Sequence, residues 1–324
     1  MSENANTTMN GTQPSSCSSN PTAEKIGVTF AYCLIFIFSL AGNTVIGIIV
    51  YKAKTMRKPI NFFIVNMAMS DLLLPLFMIP WLIQRLYMDS WLIGGLLGQA
   101  LCQLYFFLPK MSAAVSIQSL VLIAVDRFGA VVFPLRSPLI SSKLCPFFNL
   151  ATWIVAIAVY SPELVARKLV EYPEKLVCQR HWNEVFGEFS SYEKYLFSGI
   201  VVLQFIPLVL IAILYIIIYL KLKSQKIPGE QSANAEQQRQ QRERNVLKMA
   251  IAIMLGFAVC WLPISVYCFF FFPPSHPTIT SPNCGVRYLQ YVIILMALAN
   301  SAINPCICFI FSGNYRKELK ALLR

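Results

Sequence analysis

Asp71 stands midway along a run of apolar residues long enough to cross a bilayer. A carboxylate inside a bilayer is costly unless something compensates it, so such a residue is a functional candidate by default. Other oxygen-bearing side chains fall at the middles of other apolar runs: Asn43, Ser116, Asn300, Ser301 and Asn304. Oxygens at one depth on several helices suit a small hard cation such as sodium. They equally suit a polar network of side chains and water with no ion. A second group closes the third run, Asp126-Arg127-Phe128. Arg127 can pair with Asp126 beside it, or reach Glu243 at the start of the sixth run and tie two helices together. A pair that breaks at modest cost makes a latch for a two-state element, whereas an ordinary surface pair is worth little.

Prolines lie inside the runs at Pro80, Pro109, Pro162, Pro207, Pro263 and Pro305. Each removes a backbone hydrogen bond and can kink its helix. Pro263 comes just after Trp261, a bulky ring beside a hinge. Pro305 follows Asn304, whose side chain is expected to cap backbone groups that the proline frees. The only histidines, His181 and His276, are in loops, so no nucleophile, histidine and acid can assemble for catalysis. No CxxC or histidine cluster suggests a transition-metal site.

Seven apolar segments must position these residues, at about 26–51, 60–86, 98–132, 145–165, 195–222, 245–272 and 286–310. A spanning helix needs about 20 apolar residues, and in lipid each helix must satisfy its own backbone polar groups. The expected class is an all-α membrane protein, a seven-transmembrane helix bundle with a short amphipathic eighth helix. Residues 1–25 form a polar tail, 26–310 the membrane domain, and 311–324 the surface helix and tail. With 56% hydrophobic and 13% charged residues, the composition leaves no room for a soluble catalytic domain.

The net charge is +12, and 18 of the 27 Lys and Arg residues fall in loops or the tail on one side. That side is expected to be cytoplasmic, with the N-terminus outside. Basic residues beside membrane spans point to anionic lipid or protein partners and away from nucleic acid. Residues 1–25 lack the apolar core of a signal peptide. They carry the glycosylation acceptors Asn6 and Asn10. Cys17, Cys102, Cys178 and Cys284 face the oxidising side and allow three pairings. The neatest joins Cys102 to Cys178 and leaves Cys17 with Cys284. Residues 225–244 separate spans five and six, and Glu236 to Lys248 is expected to extend span six as a helix. No paired broken helices of a transporter kind recur in the two halves.

Read in order, the motifs resemble the rhodopsin-like (class A) G-protein-coupled receptors, over nearly the whole chain. They are Gly42-Asn43, Asn66-Met67-Ala68-Met69-Ser70-Asp71, Trp91, Cys102, Asp126-Arg127-Phe128, Pro134-Leu135, Trp153, Pro162 and Cys178. Pro207, Tyr215, the run Phe257 to Pro263 and the run Asn300 to Pro305 follow. The resemblance implies that Asp71, Ser116, Asn300, Ser301 and Asn304 form the family's allosteric sodium pocket, with no other cofactor. It implies an inactive-state latch of Arg127 with Glu243, and a packing switch of Ile117, Pro207 and Phe257 above which Trp261 is the pocket floor. It makes Cys102–Cys178 the family's disulfide. Two residues depart from the pattern. Phe128 replaces the usual Tyr, and Cys308 stands where the seventh helix normally carries a Tyr that swings inward to meet Tyr215. Residues 309–323 resemble the family's amphipathic membrane-surface helix, and neither a palmitoylated Cys nor a Ser/Thr-rich tail follows it.

The resemblance also narrows the ligand. Leu298 sits where opsins carry the retinal Lys, and Pro109 where aminergic receptors carry an Asp. The long loop 166–194 and the wording of spans one to three are most like the neuropeptide receptors. The expected ligand residues are Trp81, Gln84, Lys110, His181, Trp182, Tyr267, Tyr288, Gln290 and Tyr291. Lys110 can meet a ligand carboxylate or pair with Glu163. The expected function is a plasma-membrane receptor that binds an extracellular peptide and activates a heterotrimeric G protein. A lipid or small-molecule ligand, or a transporter, is the alternative.

Overall fold

The computed structural model describes residues 21–88, 90–133, 139–188, 191–224, 233–271 and 284–323, with the side chains of 233–240, 242–243 and 270–271 outside that description. Among the described residues, seven helices are long and apolar enough to cross a membrane: Pro21–Lys52, Pro59–Tyr87, Gly95–Val132, Cys145–Ala166, Tyr192–Ser224, the section Arg244–Phe269 of a helix Ala233–Phe271, and Cys284–Phe311. They are spans one to seven below. A terminal helix, Gly313–Leu322, follows span seven after Ser312.

The burial pattern inverts that of a water-soluble protein. Large apolar side chains such as Phe147, Ile216 and Val259 point outward, while Asn43, Asn66, Ser70, Asp71, Ser116, Asn300 and Asn304 are buried. Burying a polar group is tolerable only where it finds partners, and lipid offers none. The apolar exterior is therefore the lipid face, and the polar residues must satisfy one another inside.

Local sequence explains several boundaries. Pro59 opens span two and Pro146 span four, where a missing N–H matters least. Lys58 is extended, as a residue before proline prefers. Span six begins at Ala233, so the helical extension expected from Glu236 is present and starts three residues earlier. Pro75 joins Pro80 inside span two. Pro162 in span four cannot bond to the Ala158 carbonyl, and the Ser161 hydroxyl donates to that oxygen at 3.1 Å. In span five a π turn, Val201–Phe205, precedes Pro207, with the Ile206 N–H bonded to the Val201 carbonyl five residues back. Nothing in the sequence reading anticipated this turn, which is a common accommodation of a broken ladder near a functional site.

One end of the bundle carries a two-stranded antiparallel sheet, β1 (Arg167–Glu171) and β2 (Leu176–Arg180), with Leu169 opposite Cys178. The Cys102–Cys178 disulfide fixes it to span three with Cα atoms 5.7 Å apart. The Trp91 N–H donates to the Leu176 carbonyl at 2.8 Å. Gln99 pairs with the free edge of β1, donating to the Arg167 carbonyl at 2.8 Å and accepting from the Leu169 N–H at 2.7 Å. We call this the hairpin end, and the other the Arg127 end. Cys284 is also disulfide-bonded, and its expected partner Cys17 lies outside the described residues, as do Asn6, Asn10 and Pro134-Leu135.

Candidate functional site

The polar centre is built around Asp71, 1% exposed. Its Oδ1 accepts from the Ser116 hydroxyl at 3.0 Å and its Oδ2 from the Asn304 carboxamide at 2.7 Å. Ser70 and Ser116 hydroxyls lie 3.0 Å apart, and the Ser112 hydroxyl donates to the Ser70 carbonyl at 2.9 Å. Among the described residues no cationic side chain makes an ion pair with Asp71. The buried carboxamide oxygens of Asn43, Asn300 and Asn304 have no hydrogen-bond partner among the described residues. A carboxylate, two hydroxyls and unpartnered carboxamide oxygens are the donor set that a hard cation takes.

Asn304 was expected to cap backbone freed by Pro305, and the structure corrects this. Pro305 leaves the Ser301 carbonyl without its helical donor. Asn43 of span one supplies one instead, its Nδ2 lying 2.8 Å from that oxygen. The approach is close because Gly42 has no side chain: a Cβ there would stand 2.7 Å from the Pro305 Cβ. Asn304 is thereby left to serve Asp71. A second network ties spans two, three and four. The Trp153 indole donates to Asn66 Oδ1 at 2.8 Å, while Asn66 Nδ2 lies 3.0 Å from both the Ser119 and Thr152 hydroxyls.

Ile117 of span three, one residue beyond Ser116 toward the Arg127 end, and Phe257 of span six are fully buried, and the Trp261 ring centroid is 6.1 Å from that of Phe257. The Ser265 hydroxyl lies 2.9 Å from the Trp261 carbonyl and 2.9 Å from Gln204 Oε1, bracing the turn that contains Pro263 against span five. Pro207 is half-buried on the same side of span five. At the Arg127 end, Arg127 Nε donates to buried Asp126 at 3.0 Å. The Glu243 side chain, the other half of the expected latch, lies outside the described residues. Tyr215 and Cys308 are buried, and the Tyr215 hydroxyl has no hydrogen-bond partner among the described residues.

Two cavities open at the hairpin end. One, of about 500 Å³ between spans one, two, six and seven, is lined by Tyr32, Arg85, Tyr267, Arg287, Gln290 and Tyr291 among others. The other, of about 210 Å³, reaches down to Trp261 past Tyr105, Phe106, Pro109, Lys110 and Gln204. Ile264 and Cys268 line both, so the two are neighbours divided by span six side chains. Outside them, Arg180, His181, Trp182, Glu184, Glu188 and Glu193 line a shallow groove.

Tyr267, Gln290 and Tyr291 therefore meet in the first cavity, Lys110 lines the second, and His181 and Trp182 lie in the groove. Gln290 donates to the Tyr267 hydroxyl at 2.6 Å. Trp81, Gln84 and Tyr288 line none of the three. Trp81 packs within an aromatic cluster, 3.9 Å from the Tyr105 ring centroid. Gln84 donates to the Ser90 carbonyl at 2.7 Å, and the Tyr288 hydroxyl bonds to Glu24 at 3.3 Å. Arg85, Arg287, Gln204 and Ser265 line the cavities without having been singled out in the sequence. A cation in the last turn of span two was the one available signal, for Arg85.

Lys110 pairs with Glu163, and also donates to the Tyr192 hydroxyl at 3.0 Å. Glu163 is fully buried and has Arg167 3.4 Å from its second oxygen. A buried carboxylate needs such partners, because leaving it unpaired is strongly destabilising. The alternative that tied Lys110 to Glu163 is thus the one seen here. Among the described residues no carboxylate lines either cavity. In the groove, hydrogen bonding from His181, with Lys168 second, holds the Glu184 carboxyl down to about 2, so it is ionised at any physiological pH.

Comparison with known proteins bears on this geometry. Residues 42–307 match the family described as 7 transmembrane receptor (rhodopsin family). Over 319 residues the chain is 31% identical to the QRFP-like peptide receptor of Branchiostoma floridae, across 94% of this chain and 79% of that protein. It is 30% identical over 251 residues to the RYamide receptor of Drosophila melanogaster, across 75% of this chain and 52%, about half, of that receptor. With the Substance-P receptor of Homo sapiens the identity is 27% over 295 residues, 91% of this chain and 70% of that protein.

Proposed function

Since the chain belongs to the rhodopsin family of seven-transmembrane receptors, we propose that it binds an extracellular peptide at the hairpin end and activates a heterotrimeric G protein at the Arg127 end. The observation that carries the peptide reading is the shape of the hairpin end. Two adjoining cavities and a separate groove lie at the end that carries a sheet covalently and backbone-bonded in place. An extended chain fits this arrangement, with its end inside and its body across the groove. The relatives named for peptides, QRFP-like, RYamide and Substance-P, agree with it.

Charge sharpens the reading. The cavities present Arg85, Arg287 and Lys110 and, among the described residues, no carboxylate, whereas Glu184, Glu188 and Glu193 line the groove. Lys110 is already paired with Glu163 and Arg287 with Glu24 at 3.6 Å, which leaves Arg85, an exposed residue, as the cavity cation without an ion pair among the described residues. The inserted end of the peptide is therefore uncharged, as an amidated terminus is, or anionic. Basic residues of the peptide lie against the groove. Tyr267, Gln290 and Tyr291 contact the inserted end. His181 and Trp182 contact the body, and Trp81, Gln84 and Tyr288 shape the mouth from behind.

The N-terminus is outside the plasma membrane and the basic Arg127 end faces the cytoplasm and its anionic lipids, following the distribution of Lys and Arg. Asn6 and Asn10 then carry glycans. The ligand favours the state with span six displaced outward only through its differential affinity for that state. Asp126, Arg127 and Glu243 form the closed-state latch. Ile117, Pro207, Phe257, Trp261, Pro263, Tyr215 and Pro305 carry the rearrangement between the ends. Asp71, Ser116, Asn300, Ser301 and Asn304 would hold a sodium ion, which compensates the buried carboxylate in the closed state.

The test is G-protein activation in cells expressing the chain, screened with short amidated and free-acid peptides. Arg127→Ala serves as control. A saturable response to one peptide that Arg127→Ala removes is the expected result. Surface expression with silence throughout would overturn the peptide reading. For sodium, Asp71→Asn is expected to remove the salt dependence of ligand affinity; a variant with unchanged salt dependence would sink that assignment.

A further inference from the structure

We propose that Tyr315, on the terminal helix, is the clamp that holds the Arg127 end closed. This rests on the receptor reading above. The family resemblance expects a tyrosine at position 308, and a thiol there reaches less far and donates only weakly. Cys308 is fully buried. A phenol is nevertheless present seven residues on. Tyr315 is 1% exposed, although it sits on a ten-residue helix whose neighbours Arg316 and Lys317 are exposed.

The Tyr315 hydroxyl donates to Asn61 Oδ1 of span two at 3.2 Å. The orientation of that carboxamide is set from its other side, since Asn61 Nδ2 donates to the Met56 carbonyl at 2.7 Å. The oxygen is therefore the atom left to face Tyr315. Phe309 of span seven packs edge-on against the Tyr315 ring, 6.2 Å between centroids. Burial, with Cys308 the next influence, pushes the phenol well above its usual range, so it remains a donor at all physiological pH.

The remaining ties of the terminal helix are of another kind. Thr55 to Glu318, at 3.3 Å, is exposed. Arg316 donates to the Phe309 carbonyl at 3.0 Å and to that of Ile310, capping the last turn of span seven across Ser312. Backbone bonds from Ser312 to the Cys308 carbonyl at 3.1 Å and from Arg316 to the Ser312 carbonyl at 3.3 Å, with Phe309 packed on the Tyr315 ring, join the end of span seven to the terminal helix as one piece. Beyond the Asn304–Asp71 bond at the polar centre, Tyr315–Asn61 is, among the described residues, the buried side-chain hydrogen bond that joins this piece to span two. Water competes with the exposed bonds and not with this one. Displacement of the end of span seven must break it.

The experiment compares wild type, Tyr315→Phe, Asn61→Ala, the double variant and Thr55→Ala in lipid nanodiscs. It measures amide exchange over residues 301–322 and ligand-independent G-protein activation. One buried hydrogen bond is worth about 1 kcal/mol, a shift of roughly fivefold in a two-state equilibrium. Tyr315→Phe is expected to speed exchange in both the terminal helix and the end of span seven, and to raise basal activation about fivefold. The double variant should add little to either single one, and Thr55→Ala should change neither readout. Unchanged exchange in Tyr315→Phe overturns the proposal. Faster exchange confined to the terminal helix, or faster exchange without a rise in basal activation, also overturns it, the bond then being a dock and no clamp. If the wild type activates no G protein with any ligand, the receptor reading fails separately. The clamp then stands or falls on whether Tyr315→Phe frees the end of span seven.

Discussion

The two ends of the bundle are held by different classes of bond. At the hairpin end the fastenings are a disulfide, an antiparallel sheet and backbone bonds from Trp91 and His181 to that sheet and its base. At the Arg127 end, the described contacts between elements are side-chain bonds such as Tyr315–Asn61 and Thr55–Glu318, beside the local pair Arg127–Asp126. A surface that must recognise a ligand gains from being formed in advance, because less ordering remains to be done on binding. A surface that must open gains from fastenings of about 1 kcal/mol each, which a ligand's differential affinity can overcome. The difference in construction matches the division of labour between recognition and response.

Removing the covalent fastening should show the largest effect. Cys102→Ser or Cys178→Ser is expected to lose about 2–5 kcal/mol, enough to abolish folded receptor at the surface; thermal denaturation in detergent and surface labelling would measure it. Surface levels near wild type would mean that the sheet and the Gln99 bonds suffice alone. Next comes the buried ion cluster behind the deeper cavity. Glu163→Gln leaves Lys110 and Arg167 facing a neutral amide, and a broken buried pair costs about 3–5 kcal/mol. Lys110 is 22% exposed, so solvent reduces this to the low end of that range. The expected result is a markedly lower melting temperature, partly recovered by Glu163→Gln with Lys110→Met. No recovery in the double variant would show that Arg167 is the partner that matters.

The same contrast explains what could be read in advance. The seven spans were legible because apolar length is a strong signal and survives errors of a few residues. Asp71, Ser116 and Asn304 were legible as a group because each is a polar residue at the middle of a span. Which atom met which was not. Asn304 and Asn43 are chemically alike, and only the close approach permitted by Gly42 gives the Ser301 carbonyl to Asn43. Lys110 offered two partners in the sequence, and the choice of Glu163 depended on the turn of span four relative to span three. The cavities were the least legible part. Arg287 and Gln204 are ordinary helix residues until the packing of spans places them at one opening. Asn43→Ala tests this kind of contact: it leaves the Ser301 carbonyl unpartnered and is expected to lose about 1–3 kcal/mol of stability. Asn304→Ala removes a different bond, the one to Asp71, so the two losses are expected to add in the double variant.

The smallest expected effect concerns the groove. Glu184 is exposed, and its carboxyl is held down to about 2, by His181 first and Lys168 second. A depressed carboxyl contributes stability that is present above the ordinary carboxylate range, about 4.3, and lost as pH falls through the folded value. Between pH 5 and 8 that contribution is constant. Any change in peptide affinity over this interval must therefore come from groups other than Glu184. Glu184→Gln is expected to weaken a peptide with basic residues by a similar factor at pH 5.5 and pH 7.5, in a binding isotherm at fixed salt. Raising the salt should shrink that factor, since the pair is exposed to screening. If the loss grew from pH 5.5 to pH 7.5, the carboxylate would be titrating in that window. The short bond from His181 Nδ1 to Glu184 Oε1, 2.6 Å, would then not describe the groove in the membrane-bound receptor. A pH-independent loss would instead leave the acidic groove as the fixed element of recognition, beside the uncharged or anionic end inserted at the hairpin end.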